Sequence, residues 1–215
     1  ESLALDSIVN RLQSNAQYQS LFASAFVNNN AISSSNIGVA IAAETIAKQT
    51  NYPLPSDLFT SGLVHDMGKV AMLTISPENV SEISRLAKEE GISYLEAETK
   101  LESFKHNLVG NLLAKTWRLP TLLQSTIKYH HEPDPNKRVG LTAELNQATD
   151  ITYLANVLIH ALKFGDAGHD KVVGAPKDLM SRLTIDPVDG FKALVKNIKD
   201  QLGKAEDFMR VLGGE

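Results

Sequence analysis

Residues 62–69 read Gly62-Leu63-Val64-His65-Asp66-Met67-Gly68-Lys69, an apolar run broken by an adjacent His-Asp pair and by a Lys one turn later. A fold that buries this run must also satisfy its carboxylate. A buried charge is tolerated only when it is paired, hydrogen-bonded or bound to metal. Two arrangements meet that demand. The segment is half of a metal site, offering an imidazole nitrogen and a carboxylate oxygen together, or it is a buried ion pair between Asp66 and Lys69. Ligands elsewhere in the chain decide between them.

The rest of the chain patterns as helix. Ser76-Pro77-Glu78 is a helix start, with Ser at the N-cap, Pro at the first position and an acid in the first turn, and Gly91 stops that helix. Ser93-Tyr94-Leu95-Glu96 has capping-box spacing and opens the next. Pro120 opens a helix that Pro133 closes just after His130-His131. Asp186-Pro187-Val188-Asp189 begins another, whose Phe191, Leu194, Val195, Ile198 and Leu202 form one apolar face. Hairpin-bounded alternating runs are nearly absent, Val172-Val173 being the one doubtful spot. Gly165 to Pro176 is the expected long loop. The predicted class is all-α.

With 215 residues the chain can bury a sizeable core. A net charge of -4 gives no bulk attraction to nucleic acid or to an anionic membrane. No stretch is apolar for long enough to span a bilayer, and Ile151 to Leu162, interrupted by polar residues, reads as a core helix. The absence of cysteine excludes disulfides and thiolate ligands and fits a reducing cytoplasm, the expected location. The first residue is Glu1 rather than Met, which reads as a fragment with any upstream domain out of view.

Four of the six histidines fall in order on successive helices: His65, His106, His130 and His131. A lone His is more often a hydrogen-bonded core or surface residue, and a His pair at a helix C-terminus also suits the macrodipole. Together they match the way helical bundles aim His and Asp or Glu inward around metal. Lys69 could then meet a phosphate as a point charge. Trp117, Leu119 and Leu122 read as core. His169-Asp170, in its Gly-rich loop, reads as solvated, and His160 as core or surface.

Leu63-Val64-His65-Asp66-Met67-Gly68-Lys69, His106-Asn107-Leu108-Val109-Gly110, Trp117-Arg118-Leu119-Pro120 and Tyr129-His130-His131-Glu132-Pro133 resemble the HD superfamily, and within it the HDOD branch, the "HD-related output domain" of bacterial signalling proteins. The resemblance implies an all-α, HD-like helical bundle over residues 31–165 with a C-terminal helical extension over 166–215. Residues 1–30 are then a remnant of the branch's helical N-terminal portion. It also implies metal ligands at His65, Asp66, His106, His130 and His131, with Asp66 and Lys69 catalytic if the domain is active.

Two positions depart from the catalytic relatives, which include the HD-GYP cyclic-di-GMP phosphodiesterases. Ser35 stands near an expected early His, and Asn156 replaces a late Asp. The glycine-tyrosine-proline signature is also missing after Gly110, where Asn111-Leu112-Leu113 follows. The remaining set, Asp66, His106 and His130 completed by His65 or His131, suits one or two divalent ions, Fe, Mn, Ni or Zn rather than Mg or Ca. The expected role is a signal-transduction output module with a partly eroded metal site, partnered by signalling proteins or upstream domains and by a nucleotide or phosphate ligand. The alternatives are a metal-dependent phosphohydrolase of a nucleotide or cyclic dinucleotide, and a buried hydrogen-bond network that binds nothing.

Overall fold

A computed structural model describes residues 30–213, with positions 10, 16 and 20 before them. Apart from those positions and Asn30, the expected remnant at 1–30 lies outside the described residues. Among the described residues the regular structure is helical, without strands. The long helices are α1 (Asn30–Gln49), α2 (Pro55–Val64), α3 (Met67–Ile75), α4 (Pro77–Glu90), α5 (Tyr94–Lys100), α6 (His106–Thr116), α7 (Thr121–Tyr129) and α8 (Ala143–Ala161). A short α9 (Leu179–Arg182) and α10 (Asp189–Gly213) follow. No described helix is long and apolar enough to cross a membrane.

Local signals set most of these ends. Ser93 and Glu96 form the reciprocal capping box at α5, and Gly91 closes α4 in the left-handed conformation, φ 62°. Asp186 accepts the backbone N–H groups of Val188, Asp189 and Gly190 at the head of α10. Ser76 departs from expectation. Its side chain makes no cap bond, because one residue both ends α3, through its N–H to Met72 O, and precedes Pro77 of α4. Val172-Val173 forms no strand and lies exposed in the loop after α8.

Two apolar clusters build the interior. One joins α1, α8, Leu179 and Leu183 around α9, and Leu194, Ile198 and Leu202 of α10. The other joins α3 to α7 through Met67, Ile83, Tyr94, Leu113 and Ile127. A fully buried side chain of this size contributes roughly 1.5–3 kcal/mol. Trp117, expected in the core, is instead 40% exposed, because α6 ends there and the chain turns through Arg118 at φ 55°.

His65 and Asp66 occupy the break between α2, which reaches the first cluster through Leu58, and α3, which belongs to the second. Two glycines bracket them. A Cβ on Gly62 would lie 2.5 Å from the Ala40 backbone of α1, and one on Gly68 would lie 1.8 Å from the His106 carbonyl of α6. Only a residue without Cβ lets backbones approach this closely. The glycines of the motif therefore press its ends onto α1 and α6, which brings His106 to Asp66.

Candidate metal centre

Two histidines reach the centre by the same device. His65 follows the last residue of α2, and its Nδ1 lies 2.7 Å from Gly62 O. His130 follows the last residue of α7, and its Nδ1 lies 2.8 Å from Ile127 O. These carbonyls are among those a helix C-terminus leaves unpaired. Each can only accept, so each assigns the ring proton to Nδ1 and leaves Nε2 with a free lone pair.

His106 is oriented from the opposite helix end. It opens α6 with its backbone N–H uncapped by Lys105, and Glu98 of α5 accepts that N–H at 2.9 Å. Both Glu98 oxygens also lie 3.0 Å from His106 Nδ1. A fully buried carboxylate thus caps α6, where the helix dipole favours negative charge, and turns His106 Nε2 inward. Sequence reading did not single Glu98 out. A signal for it was present: Glu98 sits four residues after Tyr94, on the apolar stripe of Tyr94, Ala97 and Leu101.

The inward nitrogens converge on Asp66. Its Oδ1 is 3.2 Å from His106 Nε2 and 3.4 Å from His130 Nε2, yet has no hydrogen-bond partner. His106 Nε2 is also 3.3 Å from His130 Nε2 and 3.0 Å from His131 Nε2. One ligand atom from each of Asp66, His106, His130 and His131 falls within 4.8 Å of the others. His65 lies outside that group; its Nε2 is 3.4 Å from Asp66 Oδ2 and unpartnered. Lone pairs facing one another around a carboxylate oxygen repel unless a proton or a metal ion lies among them. The donor chemistry therefore fits a metal.

Electrostatics agree. Burial pushes the Asp66 carboxyl up, but Lys69, His65, His106 and His130 together hold it well below its ordinary range. His106 is raised: burial opposes its charge, and Glu98 and Asp66 outweigh that. Burial lowers His130 to about 4, and burial with the neighbouring His130 and His106 takes His131 well down. Glu98 and Asp66 thus favour a proton on His106, while burial disfavours one on His130 and His131.

Lys69 is held in the interior by Asp66. It is 4% exposed; its Nζ bonds Asp66 Oδ2 at 2.8 Å, reaches Ala167 O at 3.3 Å and sits 4.6 Å over the Tyr94 ring. The buried ion pair and the histidine cluster thus share one carboxylate, with one oxygen for each. Ser35 and Asn156 are both buried. A cleft of about 300 Å³ lined by His130, His131, Tyr153, Asn156, His160 and His169 borders the centre.

His169, expected in solvent, is only 9% exposed and its ring stands 4.7 Å from that of His160. The loop folds back because Gly165 and Gly168 adopt φ 75° and 85° and Asp166 pairs with Lys88 of α4 at 3.0 Å. No local pattern announces a contact with a residue 78 positions away.

A second network steadies the His130-His131 turn. Arg138, whose side chain is fully buried, donates to Glu132 O at 2.7 and 2.9 Å and pairs with Asp150 at 2.8 Å. Arg182 grips the same carboxylate at 2.8 and 3.0 Å and reaches Pro133 O at 3.1 Å.

Comparison with known proteins places this geometry. The family model described as HDOD domain matches residues 4–133, so the match includes most of the segment expected as a remnant. An uncharacterized protein of Treponema pallidum (strain Nichols) is 30% identical over 87 residues, 40% of this chain and 17% of that one. The crystal structure of an HDOD domain protein of unknown function from Geobacter sulfurreducens superposes with a TM-score of 0.63 at 24% identity, covering 86% of this chain and 62% of that chain. The chain therefore spans less than two thirds of the length of either. The match covers well over half of the sequence and includes the His-Asp pair, His106 and the His130-His131 turn, and the chain belongs to the HDOD domain family.

Proposed function

We propose that this chain is a cytoplasmic signal-transduction output module. In this reading one divalent transition ion is held by Asp66, His106, His130 and His131, and hydrolysis is not efficient. The observation that supports it is the division of labour on Asp66. Two-metal hydrolytic centres clamp the attacking and leaving oxygens between paired ions, and the ligand set here lacks a free bridging carboxylate: Oδ2 is engaged by the Lys69 ammonium at 2.8 Å. Ser35 and Asn156 add no carboxylate or imidazole where the catalytic relatives carry one.

Three nitrogens and one oxygen suit Fe, Mn, Ni or Zn. When bound, such an ion supplies Lewis acidity toward a phosphoryl oxygen or another anionic group. The chain's own residues hold the donor set: Glu98 fixes the His106 tautomer, and the carbonyls of Gly62 and Ile127 fix those of His65 and His130. Regulation would then work through partner proteins or upstream domains that sense the loaded or empty state.

A second reading, a metal-dependent phosphohydrolase, is favoured by the cleft that opens beside His130 and His131. The chain loaded in turn with Fe, Mn, Ni and Zn separates the two, assayed with a generic phosphodiester and a panel of nucleotides and cyclic dinucleotides. The module reading expects an ion that is lost in His106→Ala, with no turnover above the metal blank. Metal-dependent turnover that disappears in a folded Asp66→Ala variant would overturn it in favour of the enzyme.

A further inference from the structure

Beyond the Asp66 centre lies a second set of buried polar side chains to which the reading above assigns no ligand. Asn156 and His160 stand one turn apart on α8, and His169 meets them from the loop that follows. All three line the cleft that His130 and His131 border. Asn156 Oδ1, His160 Nε2 and His169 Nδ1 are each buried without a hydrogen-bond partner. Asn156 is 5% exposed and His169 is 9% exposed. The two imidazole rings stand 4.7 Å apart at 76°.

Buried polar atoms are nearly always paired, so three unpaired ones around a single cleft point to a ligand. The loop is built to hold His169 there. A Cβ on Gly165 would lie 2.5 Å from Ser35 N, and one on Gly168 would lie 3.0 Å from the Tyr94 ring. Asp166, paired with Lys88, accepts the Gly168 N–H at 2.8 Å. Both flanking glycines are at positive φ, so this path is one that few other residues could follow.

The atoms select the ligand's charge. Asn156 Oδ1 can only accept, which disfavours an anion at that point. Burial first, and Lys69 second, lower His160 to about 3 and His169 to about 4, so both rings are neutral and carry a lone pair. Lys69 is held on Asp66. Lys171 lines the cleft, but Glu96 lines it too and Asp170 adjoins His169. Two imidazole nitrogens suit Zn and Ni, and the amide oxygen adds a neutral third donor.

We propose that Asn156, His160 and His169 form a second divalent transition-metal site, beside the Asp66 centre and sharing no carboxylate with it. The site does not depend on whether the first centre turns over a substrate.

Titration of the full chain with Co(II) tests this, read by visible absorption and by metal analysis after dialysis, with circular dichroism as the control for folding. Two ions are expected per wild-type chain. His160→Ala and His169→Ala should each lose one, His106→Ala should lose the other, and the double variant His106→Ala/His169→Ala should bind none. His160→Gln and His169→Gln serve where an alanine variant fails to fold. The proposal is overturned by a wild type that binds no ion, by a single ion that His106→Ala removes, or by two ions that survive in both cleft variants. A single ion lost in His169→Ala but kept in His106→Ala would support this site and refute the first.

Discussion

Glu98→Gln is the sharpest perturbation of the candidate metal centre, because it changes one atom and no volume. Glu98 is fully buried and takes both the backbone N–H and the Nδ1–H of His106, at 2.9 and 3.0 Å. Oε1 takes both N–H groups and Oε2 also lies 3.0 Å from Nδ1, so a glutamine sets its amide N–H against Nδ1 in one orientation and against the His106 backbone N–H in the other. If its amide nitrogen faces Nδ1, the ring proton moves to Nε2 and the inward lone pair is lost. Hydrogen bonds to a charged group are worth about 1.5–3 kcal/mol, and loss of an outer-shell partner typically costs about 10–100-fold in metal affinity. That range is about 1.4–2.8 kcal/mol, which agrees with the loss of one such bond. Calorimetric titration with Zn or Ni in a His169→Ala background isolates the Asp66 centre. Glu98→Gln should weaken the Kd by that factor, and Glu98→Asp should recover part of it if its shorter arm still reaches Nδ1. Undiminished affinity in a folded Glu98→Gln chain would refute the assignment of Glu98 as the positioning residue for His106.

The remaining predictions concern stability. Asp66→Asn leaves Lys69 buried without its carboxylate and should cost about 3–5 kcal/mol in urea unfolding of metal-free protein; adding Lys69→Met should return much of it. The Asp66 carboxyl is depressed in the fold, so its stabilisation is fully present above the unfolded value near pH 3.9 and disappears as pH falls through the lowered folded value. The gap between wild type and Asp66→Asn should therefore close in strong acid, below the unfolded carboxylate value; a gap that persists undiminished there would contradict this. Gly68→Ala drives a Cβ into the His106 carbonyl and should cost at least about 1–3 kcal/mol and displace His106, seen as loss of metal binding by calorimetry. Asp150→Ala strands two guanidinium groups, that of Arg138 fully buried, and should cost about 3–5 kcal/mol, whereas near-wild-type thermal stability would show the network to be dispensable.

Local chemistry made much of this molecule readable. The capping box at Ser93 and Glu96, the Gly91 stop and the Asp186 start each act within four residues, so a sequence window contains both partners. The apolar frame of His65-Asp66 was equally visible, since a buried carboxylate demands partners wherever it sits. What escaped involved distance. Glu98 meets His106 across a helix boundary, and His169 is brought against His160 by two glycines at positive φ and a long-range ion pair. Lys69 shows a different limit. Its spacing from Asp66 announced the pair, but spacing could not show that Tyr94 and Ala167 O would close over the ammonium and keep it from solvent.

The two oxygens of Asp66 explain how such a centre can persist with or without an ion. A lone carboxylate in this interior would be intolerable, and Lys69 relieves it through Oδ2 in either state. Oδ1 faces three imidazoles that repel one another unless something positive lies among them. A proton on His106 meets that need, and Glu98 raises the proton's affinity; a metal ion meets it by displacing the same proton, as ligand deprotonation on binding requires. The fold is therefore supported in both states, and what changes between them is the charge presented to the cleft beside His130 and His131. Under the proposed reading as an output module, this would supply two conditions of one scaffold that a partner can tell apart.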